Sequence, residues 1–231
     1  MNSRKIGIIG AMAEEIEIIK GMLENVQESI NTGITYYHGQ MHNKKVVLVK
    51  SGIGKVNAAI VTQHLINNLG ATVIINIGLA GALEKGLDIG DAIVSNDVVY
   101  HDVDATGFGY PIGQVPGLGT TAFTADPILV KIASGYANTK IGRIATGDQF
   151  VGDSEQKQQI HARFNAMCAE MEGAAISHVC YLHKIPFVVI RTISDKAEGG
   201  AFDEFNKNLK KAVTAYVGIV EKIVKEVPDD L

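Results

Sequence analysis

The chain has 231 residues, of which 46% are hydrophobic and 20% charged, and its formal net charge is -4. This is ordinary globular composition, without the basic surplus of a nucleic-acid-binding protein. No apolar run approaches the roughly 18 residues that a membrane span needs, and the N-terminus leads into only a short apolar run. We therefore expect a cytoplasmic protein that binds a small molecule and neither nucleic acid nor membrane.

Strand and helix patterns alternate along most of the chain. In chain order they predict a strand at 5–9, a helix at 12–23, strands at 35–40 and 45–50, a helix at 55–69, and strands at 73–77 and 92–99. The second half predicts a helix at 127–136, a strand at 141–146, a helix at 154–163, a strand at 166–171, a helix at 173–183, a strand at 187–194 and a helix at 203–225. Such alternation indicates an α/β fold with a largely parallel sheet between helices.

No repeat or domain boundary interrupts the pattern, so we expect one domain over 1–231. The Gly/Pro/Asp-rich segment 100–119 is typical of a functional loop. The two cysteines, Cys168 and Cys180, lie among apolar neighbours and form no CxxC pair, which favours reduced core thiols over a disulfide or zinc site.

Three acids follow predicted strands: Glu15, Glu172 and Asp195. Ligands of open α/β sheets bind beyond the carboxyl ends of the strands, so these carboxylates are candidates for one site. Together they suit cleavage of an N-glycosidic bond, which needs a proton for the leaving base, support for a cationic sugar and an activated water.

Structural roles for the same acids remain open from spacing alone. Strand periodicity places Asp195 on the face of Arg191, so the two could pair, or Asp195 could cap the next turn. As a general acid it would need a raised pKa, which burial and a neighbour such as Glu172 would supply. Glu15, Glu170 and Glu172 lie where helices begin, and each could be a partner of the helix dipole.

Two other motifs lack essential parts. The segment 52–55 resembles a phosphate-binding loop, but Val56 replaces the Ser/Thr that binds magnesium and the earlier glycine is missing. The acidic segment 101–104 has no second group of ligands nearby in the sequence, so we expect no metal.

Four segments together resemble one known family. They are 6–12 with Glu15, 51–57, 170–172 and 191–195, and shorter matches at 100–102, 108–110 and 187–189 extend the likeness over nearly the whole chain. The chain is similar to the bacterial 5′-methylthioadenosine/S-adenosylhomocysteine nucleosidases. The resemblance implies a single-domain three-layer sandwich of the nucleoside phosphorylase type, with a mixed, mostly parallel sheet flanked by helices. It also implies a homodimer and no cofactor or metal.

The resemblance further implies a reaction, hydrolysis of the N-glycosidic bond to release adenine and the thioribose. By the family's pattern Asp195 protonates adenine at N7 and Ser194 orients Asp195. Glu15 activates the water with help from Arg191.

The resemblance also implies how the substrate is held. Glu172 and Met171 would hold the ribose, Phe150 would stack on adenine, and the Val151 backbone would bond the base edge. An apolar lining around the 5′-thio group is implied for Met12, Ile53, Phe108 and Phe202, and Tyr110 and Pro116 would close the pocket of the neighbouring subunit.

Three positions depart from the family's pattern. Leu79, at the substrate site, occupies the position of a serine in the family. The hydroxyl of that serine helps to hold the nucleophilic water. The segment 196–201 is shorter than usual over the 5′ pocket, and Gly173 replaces an alanine.

Two alternatives remain. A phosphorylase of the same superfamily would carry an arginine and a serine where this chain has Asn76 and Leu79. A non-catalytic nucleoside-binding protein is the other, and Leu79 motivates it.

Overall fold

A computed structural model describes residues 4–231. The strands are β1 Lys5–Gly10, β2 Glu24–Asn31, β3 Ile34–Met41, β4 Lys44–Lys50, β5 Val73–Ala82, β6 Ala92–Tyr100, β7 Ala122–Thr124, β8 Thr139–Thr146, β9 Cys168–Glu170 and β10 Phe187–Asp195. The helices are α1 Ala13–Gly21, α2 Lys55–Asn67, α3 Pro127–Ser134, α4 Ser154–Phe164, α5 Gly173–His183, α6 Ala201–Ala215 and α7 Val217–Glu226.

All these strands join one mixed sheet in the order β10-β6-β8-β9-β5-β1-β4-β3-β2, with β7 beside β6. Because β5 also pairs with β10, the strands β5, β10, β6, β8 and β9 close into a ring. The strands β1, β4, β3 and β2 extend from β5 as an open sheet. β5 is parallel to β1 and β10, and its last residues Gly81 and Ala82 pair antiparallel with β9.

The core lies on both faces of the sheet. One apolar cluster includes Ile75 of β5 with Val220 of α7, and the other includes Ile74 of β5 with Val61 of α2. β5 is buried at every position except the half-buried Gly81, as its continuous apolar run predicts.

Three elements differ from the sequence prediction. β2 and β7 were not predicted: β2 is a polar edge strand that pairs only with β3, so it has no buried face to produce an apolar alternation. The C-terminal helix predicted over 203–225 is two helices that meet at Tyr216. Tyr216 is fully buried and its hydroxyl donates to the backbone carbonyl of Glu15 at 2.7 Å.

Both cysteines are free and buried, and burial raises the pKa of each thiol, which keeps Cys168 and Cys180 protonated and unreactive. Within 4–231 we find no helix long and apolar enough to cross a membrane. The same residues contain no group of three His, Cys, Asp or Glu side chains placed to hold a metal.

Candidate active site

A cavity of about 440 Å³ opens where β5, β9 and β10 end against the first turns of α1, α5 and α6. Most of the residues that the sequence predicts for the site line it. They are Met12, Glu15, Ile53, Leu79, Phe150, Val151, Met171, Glu172, Ser194, Asp195 and Phe202. Glu170, Gln149 and Phe205 also line the cavity and were not predicted as site residues.

Glu15 is buried in the first turn of α1, where its carboxylate is held by backbone donors. Its Oε2 accepts the N–H groups of Ala11 and Met12 at 2.6 and 3.0 Å, and its Oε1 accepts that of Leu79 at 3.2 Å. Burial raises the pKa of Glu15, opposed first by Arg191 and then by these N–H groups. The result is a fixed carboxylate that faces the cavity and is more basic than a solvated one.

Arg191 lies behind the cavity wall and pairs with Glu170 instead of Asp195. Its Nε and Nη2 both donate to Glu170 Oε2, and Nη2 also donates to Asn76 Oδ1 at 2.7 Å. The pairing of Arg191 with Asp195, one alternative that spacing left open, is therefore not formed. A β-bulge between Ile193 and Asp195 shifts the end of β10, and the antiparallel path of β9 brings Glu170 back over β5.

Glu170 and Glu172 have different roles, which their spacing in the sequence did not assign. Glu170 is the helix-dipole partner, because its Oε2 accepts the N–H groups of Glu172 and Gly173 at the start of α5. Gly173 makes room for it, since an added Cβ there would lie 3.0 Å from Glu170 Oε1.

Glu172 is left facing the cavity. Its Oε1 accepts the Gly54 N–H at 2.8 Å, and its Oε2 lies 3.7 Å from Arg191 Nη2. Burial, followed by the charge of Glu170, raises the pKa of Glu172 to about 8. This carboxylate has free lone pairs and gains from a cationic or hydroxyl-bearing ligand.

Asp195 ends β10 as a buried acid. Its Oδ2 accepts the Ser194 hydroxyl and its Oδ1 accepts the Ala197 N–H, both at 2.9 Å. Burial raises the pKa of Asp195, and the carboxylate that adds to the effect is Glu204, not Glu172 as expected. Asp195 thus caps the following turn and also lines the cavity.

Two glycines of β5 make space for these groups. A Cβ on Gly78 would lie 2.9 Å from Glu15 Oε1 and 3.0 Å from Arg191 Nη1, and one on Gly81 would lie 2.8 Å from Asp195 Oδ1. Real Cβ atoms essentially never show distances of 2.8 or 2.9 Å, and 3.0 Å is unusually tight. The Gly78-x-x-Gly81 spacing therefore lets both acids approach the strand, a reason for these glycines that the sequence alone did not give.

The opposite end of the cavity is apolar and open. The ring of Phe150 meets those of Phe202 and Phe205 edge to face, with centroids 6.4 and 6.3 Å apart. Phe202 is 64% exposed, and Phe150 and Ile53 are also exposed. Flat faces of this kind suit a planar base and an alkylthio group.

The predicted loop residues lie elsewhere on the chain's surface. Phe108 is 86% exposed, Pro116 is exposed and Tyr110 is half-buried. None of the three lines the cavity of its own chain.

The fold and the site define a class of protein. Residues 5–225 match the family model described as the phosphorylase superfamily, and the chain belongs to that superfamily. A 5′-methylthioadenosine/S-adenosylhomocysteine nucleosidase of Staphylococcus epidermidis is 46% identical over 95% of this chain and 99% of its own. Within the superfamily, the chain belongs to this nucleosidase family.

Solved structures agree with this membership. The Neisseria meningitidis nucleosidase of the same name, in complex with methylthio-immucillin-A, superposes with a TM-score of 0.94. It is 40% identical over 97% of this chain and all of its own. Futalosine hydrolase of Helicobacter pylori has a TM-score of 0.93 and is 35% identical over 97% of this chain and 99% of its own.

Proposed function

We propose that the chain hydrolyses the N-glycosidic bond of 5′-methylthioadenosine and S-adenosylhomocysteine, releasing adenine and the thioribose. The observation that carries the proposal is the convergence of Glu15, Glu172 and Asp195 on one cavity. Each carboxylate has a different set of partners, so each can take a different part in the reaction. Family membership supports the same reaction.

Asp195 is the general acid of the proposed reaction. Burial raises its pKa, which favours the protonated form that can donate to N7 of the leaving adenine. The Ser194 hydroxyl, 2.9 Å from Oδ2, fixes the direction of the carboxyl group. Phe150 stacks on the adenine, and the Val151 backbone bonds its edge.

Glu15 is the base that activates water. Three backbone N–H groups hold its carboxylate, and Arg191 lies beside it across Gly78. Leu79 contributes its backbone N–H to Glu15 and no hydroxyl to the water.

Glu172 binds the ribose hydroxyls together with Met171. As the C–N bond breaks, positive charge develops on the sugar, and this charge favours the ionised form of Glu172, which stabilises the transition state more than the neutral ground state. Met12, Ile53 and Phe202 contact the 5′-thio group, where apolar and polarizable side chains suit sulfur.

The active form is proposed to be a homodimer. Exposed apolar side chains on α2 and α5, which pack side by side, offer a surface for a second copy: Val56, Ile60, Tyr181 and Leu182. Phe108, Tyr110 and Pro116 stay clear of their own cavity and would cover the partner's.

We also place the chain in the cytoplasm, as one domain over 1–231. The free cysteines support the location in the cytoplasm, and the single sheet that joins the strands of residues 4–231 supports the single domain.

Phosphorolysis is disfavoured by the charge of the cavity. In the described chain no Lys or Arg side chain lines it, and Arg191 behind it is paired with Glu170. Four acidic side chains line the wall instead, and they cannot supply the cationic contacts that a phosphate ion needs.

The test is an assay of purified protein with 5′-methylthioadenosine, with and without phosphate. Hydrolysis gives adenine and methylthioribose in phosphate-free buffer, and strict phosphate dependence would instead indicate a phosphorylase. Binding without turnover would indicate a nucleoside-binding protein. Asp195→Asn should lower kcat by about 10³-fold or more because the proton donor is lost. A near-normal rate in that variant would overturn the assignment.

A further inference from the structure

Asp102, in the loop after β6, makes two of three polar contacts that join distant segments of the chain. Its Oδ2 accepts Lys55 Nζ at 2.6 Å and the Asp148 N–H at 2.9 Å. Asp148 in turn accepts the Lys55 N–H on its Oδ1 at 2.8 Å. Lys55, Asp102 and Asp148 thus form a closed polar ring, which we name the Asp102 ring.

The Asp102 ring supplies a cap that α2 lacks. The residue before α2 is Gly54, which has no side chain to accept the first N–H groups of the helix. Its φ of +98° requires glycine, and an added Cβ would lie 3.2 Å from Asp148 Oδ1. Asp148, from the segment that follows β8, therefore takes the place of the missing cap and fixes the start of α2.

The ring also joins the two ends of the cavity. On one side, the Gly54 N–H is the backbone donor to Glu172 Oε1 at 2.8 Å. On the other side, Asp148 directly precedes Gln149 and Phe150, which line the cavity. Asp102 and Lys55 are themselves partly buried, and neither lines it.

We infer that Asp102 is a positioning residue that sets the distance between the ribose-binding carboxylate Glu172 and the adenine-binding residue Phe150. The inference rests on the function proposed above for the same cavity. Without the Asp102 carboxylate, the Lys55 ammonium and the Asp148 N–H lose their shared acceptor. Of the ring, only the direct contacts between Lys55 and Asp148 then remain, at 2.8 Å from N–H to Oδ1 and 3.7 Å from Nζ to Oδ2. The turn at Gly54 and the segment at Phe150 can therefore shift relative to each other.

The test compares Asp102→Ala and Asp102→Asn with the control Asp104→Asn. Asp104 is an exposed acid two residues away whose oxygen accepts only from Thr106. Asp102→Ala should lower kcat/KM for 5′-methylthioadenosine about 10²-fold and weaken adenine binding about tenfold, because displacement by about 1 Å has costs of this size. Asp102→Asn keeps an accepting oxygen and should stay within about tenfold of the wild-type kcat/KM, and the control within about twofold.

Adenine affinity, measured by calorimetry, separates positioning from general destabilisation and needs no turnover. A chain that binds adenine but does not cleave 5′-methylthioadenosine would refute the proposed function. The adenine affinities of the variants would still test the role of the Asp102 ring. Unchanged adenine affinity and kcat/KM in Asp102→Ala would overturn the inference, as would a loss of kcat/KM with unchanged adenine affinity.

Lys55→Met tests the other side of the ring. Both changes break the Lys55–Asp102 pair, and Lys55→Met also breaks the pair of Lys55 Nζ with Asp148 Oδ2 at 3.7 Å. The double variant should therefore lose less than the product of the two single losses, and a full product would overturn the ring as one unit. Should Asp102→Ala fail to fold, Lys55→Met decides. Wild-type kinetics and adenine affinity in Lys55→Met would overturn the inference.

Discussion

The two ends of the cavity differ in burial and in the hydrogen bonds that hold their side chains. At the carboxylate end, Glu15, Glu170, Glu172 and Arg191 are buried, and each is held by hydrogen bonds from the chain itself. At the aromatic end, Ile53, Phe150 and Phe202 are exposed. The carboxylate end is therefore preorganised before any ligand arrives, while the aromatic side chains lose exposure only when a ligand covers them.

Gly78→Ala should produce the largest change at the carboxylate end. The new Cβ would lie 2.9 Å from Glu15 Oε1 and 3.0 Å from Arg191 Nη1, so both groups must shift. We expect kcat to fall about 10²-fold. Steady-state kinetics check this against Gly21→Ala, where a Cβ meets nothing within 4 Å. A Gly78→Ala enzyme with wild-type kcat would show that the carboxylate end tolerates displacement.

Phe202→Ala should have a smaller effect, expressed in binding. Phe202 is 64% exposed, so its loss removes little native packing but takes away a face for the substrate. We expect KM for 5′-methylthioadenosine to rise about tenfold with kcat and Tm nearly unchanged. Ile30→Ala, at an exposed apolar residue of β2, is the control. A kcat loss that exceeds the KM change would contradict the separation of the two ends.

Leu79→Ser should leave the rate unchanged or raise it by up to about threefold, because the hydroxyl adds a ligand for the water. Leu79 is buried, so we expect the free energy of unfolding to fall by about 3 kcal/mol. Kinetics and denaturant unfolding measure both effects, and Leu79→Ala separates lost volume from the gained hydroxyl. A large loss of rate in Leu79→Ser alone would mean that the leucine serves a different substrate.

Glu172→Gln should change stability in a pH-dependent way, which a change in Tm reports. Burial raises the pKa of Glu172 from 4.5 to about 8, so the folded chain holds this proton more tightly than the unfolded chain. The stabilisation from that proton is complete below about pH 4.5 and is lost as the pH rises through about 8. The variant should therefore match the wild type near pH 5 and exceed its Tm near pH 9.

Thermal melts at several pH values measure this difference, with Glu14→Gln as the exposed control on α1. A Tm difference that is the same at pH 5 and pH 9 would contradict the raised pKa of Glu172.

The sequence predicted the parts of the fold whose residues are buried. The apolar runs of β1, β5 and β10 and the helices before Asp203 follow from periodicity, because burial selects apolar side chains at fixed spacing. β2 could not be predicted, since its stability comes from backbone pairing with β3. The break at Tyr216 depends on a contact with a residue about 200 positions earlier.

The parts of the site that lie at the ends of buried strands were also predictable from the sequence. Glu15, Glu172 and Asp195 meet because strand ends share an edge of the sheet. The partner of Arg191 was not predictable, because it depends on the bulge in β10 and on the reversal of β9. Glu170 has one local signal, its position two residues before Glu172, but only the fold assigns it to the arginine.

The hydrogen bond from Tyr216 to Glu15 has a consequence for synthesis on the ribosome. The two residues are 201 positions apart. At translation rates of about 5 to 20 residues per second, Tyr216 follows Glu15 by roughly 10 to 40 s. Throughout that interval the nascent chain has the first acid of the site without the helix junction that anchors its carbonyl. Catalytic competence is thus one of the last properties the growing polypeptide acquires.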